Sequence, residues 1–144
     1  MKVVGLDGRT YQWKLHGKTT HLNDISNRSS GHVRCRQFLT KLFPCEVQLE
    51  EVLLPGSGGL RADFFLPAKE LIVEVHGRQH YEFVLMFHQT RRGFLEAQKR
   101  DRQKREWCER NELIYCELPD SEDFKQWQSR VKDATQFQGE CDED

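Results

Sequence analysis

The chain has 144 residues, of which 37% are hydrophobic and 31% charged, which fits one domain with a hydrophobic core and excludes an intrinsically disordered chain. The formal net charge of −1 excludes a uniformly basic DNA-coating protein, and no apolar run reaches the roughly 18–20 residues that span a membrane. Because the N-terminus has no signal-peptide pattern, we expect a cytoplasmic protein that makes no membrane contact.

The N-terminal segment, residues 1–30, is predicted to be a β-hairpin followed by a loop. The Asp-Gly pair at positions 7 and 8 is a common hairpin turn, and the apolar residues of positions 11–15 alternate with polar ones. Residues 16–31 are polar and rich in Asn, Ser and Gly, which is typical of a loop.

Residues 31–136 carry the patterns of a folded core. Apolar residues at helical spacing predict a first helix that ends at Phe43, before Pro44. Strands are predicted over 46–54, 60–66, 70–76 and 113–118, a long helix over 94–111, and a last helix from an N-cap at Ser121 to about Ala134. This order predicts an α/β fold, with a central four-stranded mixed sheet flanked by helices. Residues 137–144 are predicted to be an acidic flexible tail, so the chain is expected to be a single domain overall.

Two carboxylates lie on neighbouring predicted strands, Asp63 on the second and Glu74 near the end of the third. Because side chains alternate along a strand, Glu74 and His76 share a face with Ile72, and the opposite face is predicted to meet the core. A carboxylate is costly to bury unless it is paired or binds a cation. This pair suits Mg²⁺, with Mn²⁺ as a substitute, and phosphodiester hydrolysis needs such an ion. His76 could orient or deprotonate water, or donate to a phosphate oxygen.

The helix predicted over 94–111 adds charges to the face that should meet the sheet. Asp101 and Lys104 lie on one stripe with Ala97 and Cys108, so we expect both to reach the site. Residues 91–110 contain eight basic and four acidic side chains, which predicts a local phosphate-binding surface. The side chains predicted to contact nucleic acid are Arg61, Arg78, Gln79, Arg91, Arg92, Arg100 and Lys104.

Asp63, followed by Glu-Val-His at 74–76, resembles the Asp…(Glu/Asp)-x-Lys signature of PD-(D/E)XK nucleases, with His in place of Lys. The run His-Gly-Arg-Gln-His at 76–80 is similar to a stretch of very-short-patch-repair endonucleases and of related phage and intron homing endonucleases. The segment 100–105 resembles the Arg-Asp-x-x-(Lys/Arg) helix of those enzymes. The resemblance covers roughly residues 32–118 and implies a restriction-endonuclease-like core.

The resemblance also implies a catalytic set. Its members are Asp63, Glu74, His76, His80 and Asp101. The two strand carboxylates would hold the metal together with the backbone carbonyl of Val75. The histidines would act on water and phosphate, and Asp101 would orient one of them.

The chain departs from the family at the first helix, where relatives often carry a Glu and residues 29–45 contain no acid. Glu50 or Glu51 could take that place, and the usual catalytic Lys is absent from the motif. We therefore expect a Mg²⁺-dependent endonuclease with DNA as its partner, with RNA and a homodimer left open. Two alternatives remain, which are an inactive nucleic-acid-binding module on the same fold and a protein-interaction domain that uses the basic helix and acidic tail.

Overall fold

In the computed structural model, helices and strands follow one another in the order that the sequence predicts. The structure describes residues 1–15, 29–77 and 91–142, with side chains described through residue 136. Three predicted site residues lie outside these ranges, namely Arg78, Gln79 and His80. The strands are β1 (Lys2–Val4), β2 (Thr10–Gln12), β3 (Leu49–Leu53), β4 (Arg61–Leu66), β5 (Leu71–His76) and β6 (Ile114–Pro119), and the helices are α1 (Ser30–Leu42), α2 (Arg91–Arg110) and α3 (Phe124–Asp142).

The central sheet has the strand order β3-β4-β5-β6. β3, β4 and β5 are antiparallel neighbours, and β6 runs parallel to β5 after a long connection that contains α2. A parallel neighbour requires such a crossover, whereas a short turn suffices for an antiparallel one. The predicted α/β fold with a four-stranded mixed sheet is therefore confirmed.

The predicted N-terminal hairpin is also confirmed, since β1 and β2 pair antiparallel. Gly8 has a φ of 80°, a conformation that suits glycine at the turn. The hairpin packs on the rest of the core through Trp13, which stacks on Phe65 at 4.6 Å and meets Trp107 edge-on at 5.1 Å. Leu6 N–H also donates to the carbonyl of Gly56, so the hairpin and the β3–β4 turn are joined.

Both faces of the sheet are covered, which makes a three-layer arrangement. One face packs against α1 and α3, and its buried residues include Phe38, Leu39, Phe64, Leu71, Val73 and Trp127. The other face packs against the hairpin and α2, and its buried residues include Trp13, Val52, Phe65, Ile72, Trp107 and Leu113.

The prediction that only one face of β5 meets a core is wrong. Ile72 is fully buried, and Glu74 on the same face is only 2% exposed. The physical reason is that β5 lies inside the sheet and has helices over both faces, so polar and apolar residues alike are enclosed. Glu74 is therefore a buried carboxylate.

Two elements begin three residues away from their predicted starts, whereas the other strand boundaries agree within one residue. β3 begins at Leu49 and not at Glu46, because the chain is still turning after Pro44; Glu46 N–H donates to the carbonyl of Phe43, and Val47 is exposed. α2 begins at Arg91, three residues before the predicted start.

The last helix is shifted as well. It begins at Phe124 because Asp123 and Gln126 form a reciprocal cap, in which each side chain accepts a hydrogen bond from the other's backbone N–H at 2.8 and 3.0 Å. Ser121 is therefore not the N-cap. The helix continues to Asp142, past the predicted end near Ala134.

Candidate active site

Asp63 and Glu74 face each other across paired strands. Phe64 is the register partner of Val73, so the next step along the ladder places Asp63 opposite Glu74. Oδ2 of Asp63 accepts a hydrogen bond from the backbone N–H of Val75 at 3.0 Å. A side chain thus replaces a backbone partner where the pairing of β4 with β5 ends.

Glu74 lies deep in this pair with a cation beside it. Nζ of Lys104 lies 2.8 Å from Oε1 of Glu74, yet this buried oxygen has no hydrogen-bond partner of acceptable geometry among the described residues. Burial raises the pKa of Glu74 well above its usual range, and the neighbouring carboxylate of Asp63 raises it further while Lys104 opposes the shift. Among the described residues, two carboxylates therefore share one ammonium.

Lys104 comes from the inward stripe of α2, which the sequence predicts to reach the site. Burial disfavours its charge, but the carboxylate of Glu74 outweighs burial and raises the pKa of Lys104, with Asp63 and Asp101 contributing. The ammonium is therefore retained beside the carboxylates. Asp101, on the same helix, is close enough to Lys104 to contribute to this electrostatic effect.

A cleft of about 290 Å³ opens beside Lys104. It lies between the β3–β4 turn and α2, and its lining residues are Gly59, Leu60, Arg61, Ala97, Arg100, Asp101 and Lys104. Three of the side chains predicted to contact nucleic acid, Arg61, Arg100 and Lys104, thus line one opening. Cations on both walls of a narrow cleft can hold an anion such as a backbone phosphate.

His76 lies on the same face but is directed away from Asp63. It is 2% exposed, and its Nδ1 lies 3.0 Å from Oε1 of Glu117 on β6. The hydroxyl of Tyr115 lies 3.5 Å from its Nε2. The hydrogen bond from His76 lowers the pKa of Glu117 to about 2, and the guanidinium of Arg105 adds to the shift. His76 is therefore held at the β6 side of Glu74, opposite to the β4 side where Asp63 lies.

The remaining predicted residues lie at the start of α2 and on β5. Arg91 and Arg92 are exposed at its N-terminal end and do not line the cleft. Val75 contributes its backbone N–H to Asp63, as described above.

Glu50 is placed in a separate buried cluster on the α1 face. Its carboxylate pairs with Arg36 at 2.8 Å and with Nε2 of His32 at 2.6 Å, and the His32 ring stacks on Phe64. Burial opposes the charge of Glu50, but the hydrogen bonds from His32 and Arg36 lower its pKa to about 2. Glu50 therefore has two basic partners of its own.

Sequence reasoning missed one residue of this arrangement, Glu117, and the ionic partner of another, Lys104. Lys104 was expected to contact phosphate, and no pattern identified it as the partner of Glu74. Glu117 was expected only as a strand residue. The available signal was its register, since Glu74 and Glu117 are paired in parallel strands and point to the same face.

Whether Mg²⁺ fits this site depends on which side chains can act as its ligands. Among the described residues there is no group of three or more His, Cys, Asp or Glu side chains that could hold a metal. Mg²⁺ nevertheless keeps several waters and is commonly bound by one or two carboxylates plus substrate phosphates. Asp63 and Glu74, whose buried Oε1 accepts no hydrogen bond from the described part of the chain, therefore fit this ion.

Comparisons with known proteins find viral relatives. The chain is 35% identical to uncharacterized protein 033L of Invertebrate iridescent virus 3 over 107 residues, which are 72% of this chain and 52% of the relative. It is 38% identical to uncharacterized protein 307L of Invertebrate iridescent virus 6 over 64 residues, 44% of this chain and 32% of the relative. Uncharacterized protein 094L of Frog virus 3 (isolate Goorha) is 28% identical over 123 residues, 81% of this chain and 79% of the relative.

The chain thus matches about half the length of the first relative and about a third of the second. No family model matches the chain, and no solved structure matches it. Among the described residues, no helix is long and apolar enough to cross a membrane.

Proposed function

We propose that this chain is a Mg²⁺-dependent endonuclease that hydrolyses phosphodiester bonds in DNA, on a restriction-endonuclease-like core of the PD-(D/E)XK type. The observation that carries the proposal is the convergence of Asp63, Glu74 and Lys104, with Nζ of Lys104 2.8 Å from Glu74. Two carboxylates and one ammonium are the charged groups that the signature of this nuclease class requires. Here the ammonium comes from a helix and not from the motif strand.

Each of these side chains has a distinct task in the proposed reaction. Asp63 and Glu74 would hold Mg²⁺, which would lower the pKa of a water and neutralise charge on the phosphate. Lys104 keeps its proton beside the carboxylates and can donate a charge-assisted hydrogen bond to a phosphate oxygen or to the attacking water. Its position makes it the candidate for the role of the missing motif Lys.

Arg61 and Arg100 hold the DNA backbone in the cleft on either side of Lys104. His76 acts as a positioning residue in this scheme, because its ring is buried and tied to Glu117. Because His76 is buried, it is less well placed than Lys104 to contact a scissile phosphate directly.

The test is cleavage of supercoiled plasmid in Mg²⁺ or Mn²⁺ by the wild type and by the isosteric variants Asp63→Asn and Glu74→Gln. We expect nicking or linearisation by the wild type and a loss of at least about 100-fold in each variant, because each removes a negative ligand from the site. The matched controls Asp133→Asn and Glu109→Gln change exposed acids outside the cleft and should cut normally. A wild type that cuts neither plasmid nor branched, mismatched or single-stranded DNA contradicts the proposal.

A binding module without cleavage is the second candidate, and one observation favours it. Lys104 already pairs with Glu74, and the pKa of Glu74 is raised, so the carboxylate can be neutralised without a metal. This candidate predicts that DNA affinity is the same in Mg²⁺ and in EDTA, and that Asp63→Asn leaves it unchanged. Metal-dependent cleavage excludes it.

A further inference from the structure

The N-terminal half of α2 presents a second charged surface that the cleft does not use. Arg92, Leu95, Lys99 and Arg102 recur at i, i+3, i+7 and i+10, so they form one stripe along the helix, and all four are exposed. We name these four residues the outer stripe. Lys104 and Asp101 lie on the opposite, inward stripe, which meets the site.

The outer stripe is strongly accessible and carries three cations. The side chain of Arg92 is 88% exposed and forms an ion pair with Glu96 at 3.4 Å, a surface pair of small energetic value. Leu95 is 57% exposed although it is apolar. The whole chain has a net charge of −1, so this concentration of positive charge is local. Local positive charge on an exposed helix is complementary to a phosphate backbone.

We propose that the outer stripe is a docking surface for double-stranded DNA, separate from the cleft that holds the strand to be cut. This inference rests on the proposed function, since it takes DNA as the ligand. An α-helix with its side chains is about 10–12 Å wide, and the major groove of B-form DNA is about 12 Å wide. The exposed side of α2, which carries the outer stripe, thus fits into the major groove, while Lys104 stays on the inward side that packs on the sheet.

Duplex DNA fits this stripe better than a single strand does. Proteins bind single strands through aromatic side chains on which bases stack. The outer stripe instead carries an aliphatic side chain, Leu95, between Arg92 and Lys99. An aliphatic side chain can contact a thymine methyl group in the major groove, while the flanking cations contact phosphates.

The experiment measures binding of a short fluorescent DNA duplex by anisotropy across a series of KCl concentrations, in EDTA so that no strand is cut. The variant Lys99→Gln/Arg102→Gln removes two stripe cations and retains hydrogen-bonding side chains. The slope of log affinity against log salt is negative, and we expect its magnitude to decrease by about 1.8. Each phosphate contact contributes roughly 0.9 to that magnitude for B-form DNA. The control Lys125→Gln/Lys132→Gln removes two exposed lysines of α3 and should leave the slope unchanged.

The plasmid assay separates the failure of this inference from that of the proposed function. The stripe variant is expected to cut at the wild-type rate when DNA is saturating, since no site residue has changed. If the variant keeps the wild-type slope on duplex DNA while the wild type cuts plasmid, the stripe is only a solvated helix face and the nuclease stands. A slope that changes for single-stranded DNA alone also overturns the duplex assignment. A wild type that binds no DNA overturns both proposals.

Discussion

Lys104 holds an ammonium group 2.8 Å from Oε1 of Glu74, so its charge should matter more for cleavage than for folding. We expect Lys104→Met to lower kcat by about 100–1,000-fold, the usual cost of removing one stabilising donor from a developing negative charge. Folding should suffer less, because the pKa of Glu74 is already raised and its carboxyl can take up a proton when the ammonium is lost. Plasmid cleavage and thermal melting measure the two effects.

The control for this substitution is Lys132→Met, which removes an exposed lysine of α3 in the same way. It should leave both kcat and the melting temperature near the wild-type values. Equal cleavage rates in Lys104→Met and in the wild type would show that the ammonium has no part in the reaction.

Glu50 makes the stability of the fold depend on pH. Its folded-state pKa is about 2, below the usual 4.5, so its contribution is fully present above pH 4.5 and is lost as the pH falls toward 2. We expect Glu50→Gln to cost about 3 kcal/mol at pH 7, because Arg36 is then buried without its anion. Urea unfolding should show this difference from the wild type shrinking between pH 7 and pH 3.

Glu46→Gln is the matched control for that experiment, because Glu46 lies 3.9 Å from Lys69 in a surface pair. Such pairs contribute roughly 0–1 kcal/mol, so its difference from the wild type should stay small throughout. A Glu50→Gln variant with a constant deficit from pH 7 to pH 3 would show that the ionised carboxylate is not what stabilises this cluster.

Among the elements, the N-terminal hairpin depends on Trp13. The indole stacks on Phe65, meets Trp107 edge-on, and donates its N–H to the carbonyl of Leu53 at 3.2 Å. We expect Trp13→Ala to lower the free energy of unfolding by about 3–5 kcal/mol, since it leaves a cavity between the hairpin and α2. Leu15→Ala, at an exposed position, should cost less than about 1 kcal/mol. Urea unfolding compares the two, and equal midpoints would mean that the hairpin is not part of the cooperative core.

The elements also show how far sequence patterns reach. Local signals suffice to predict the order of helices and strands along the chain, because Gly-rich turns, prolines and alternation act within a few residues. They do not suffice for the burial of Glu74, because that depends on α2, about thirty residues away in sequence. The stripe of Asp101 and Lys104 indicates that charged side chains point inward. The carboxylate that Lys104 contacts depends on how the helix packs on β5 and β6.

The same limit explains Glu50 and His76. Glu50 and Glu51 are both candidates for the missing acid of the first helix, and the sequence does not predict that Glu50 pairs with Arg36 and His32. His76 was expected to act on water, whereas Glu117 of the neighbouring strand holds its ring. In both cases a residue that is distant in sequence determines the environment of the side chain, and no periodicity in the sequence predicts that contact.

For the whole molecule, the proposed metal site predicts that Mg²⁺ stabilises the fold by relieving the repulsion between Asp63 and Glu74. An ion that binds the folded state alone stabilises it by about 2.7 kcal/mol at a concentration of 100 times its Kd. For a domain of this size that corresponds to a rise of roughly 5–10 °C in Tm. We expect melting curves of the wild type to show such a rise on addition of Mg²⁺ and its reversal by EDTA.

Asp63→Asn should abolish this Mg²⁺ response, while the exposed-site variant Asp133→Asn should retain it. The readout needs no substrate, so it separates metal binding from cleavage. If Mg²⁺ raises the Tm of the wild type but no DNA is cut, the metal site is functional and the assay lacks the right substrate. A wild type whose Tm ignores Mg²⁺ has Lys104 as the permanent counter-ion of Glu74, because the ammonium at 2.8 Å then suffices to neutralise the pair.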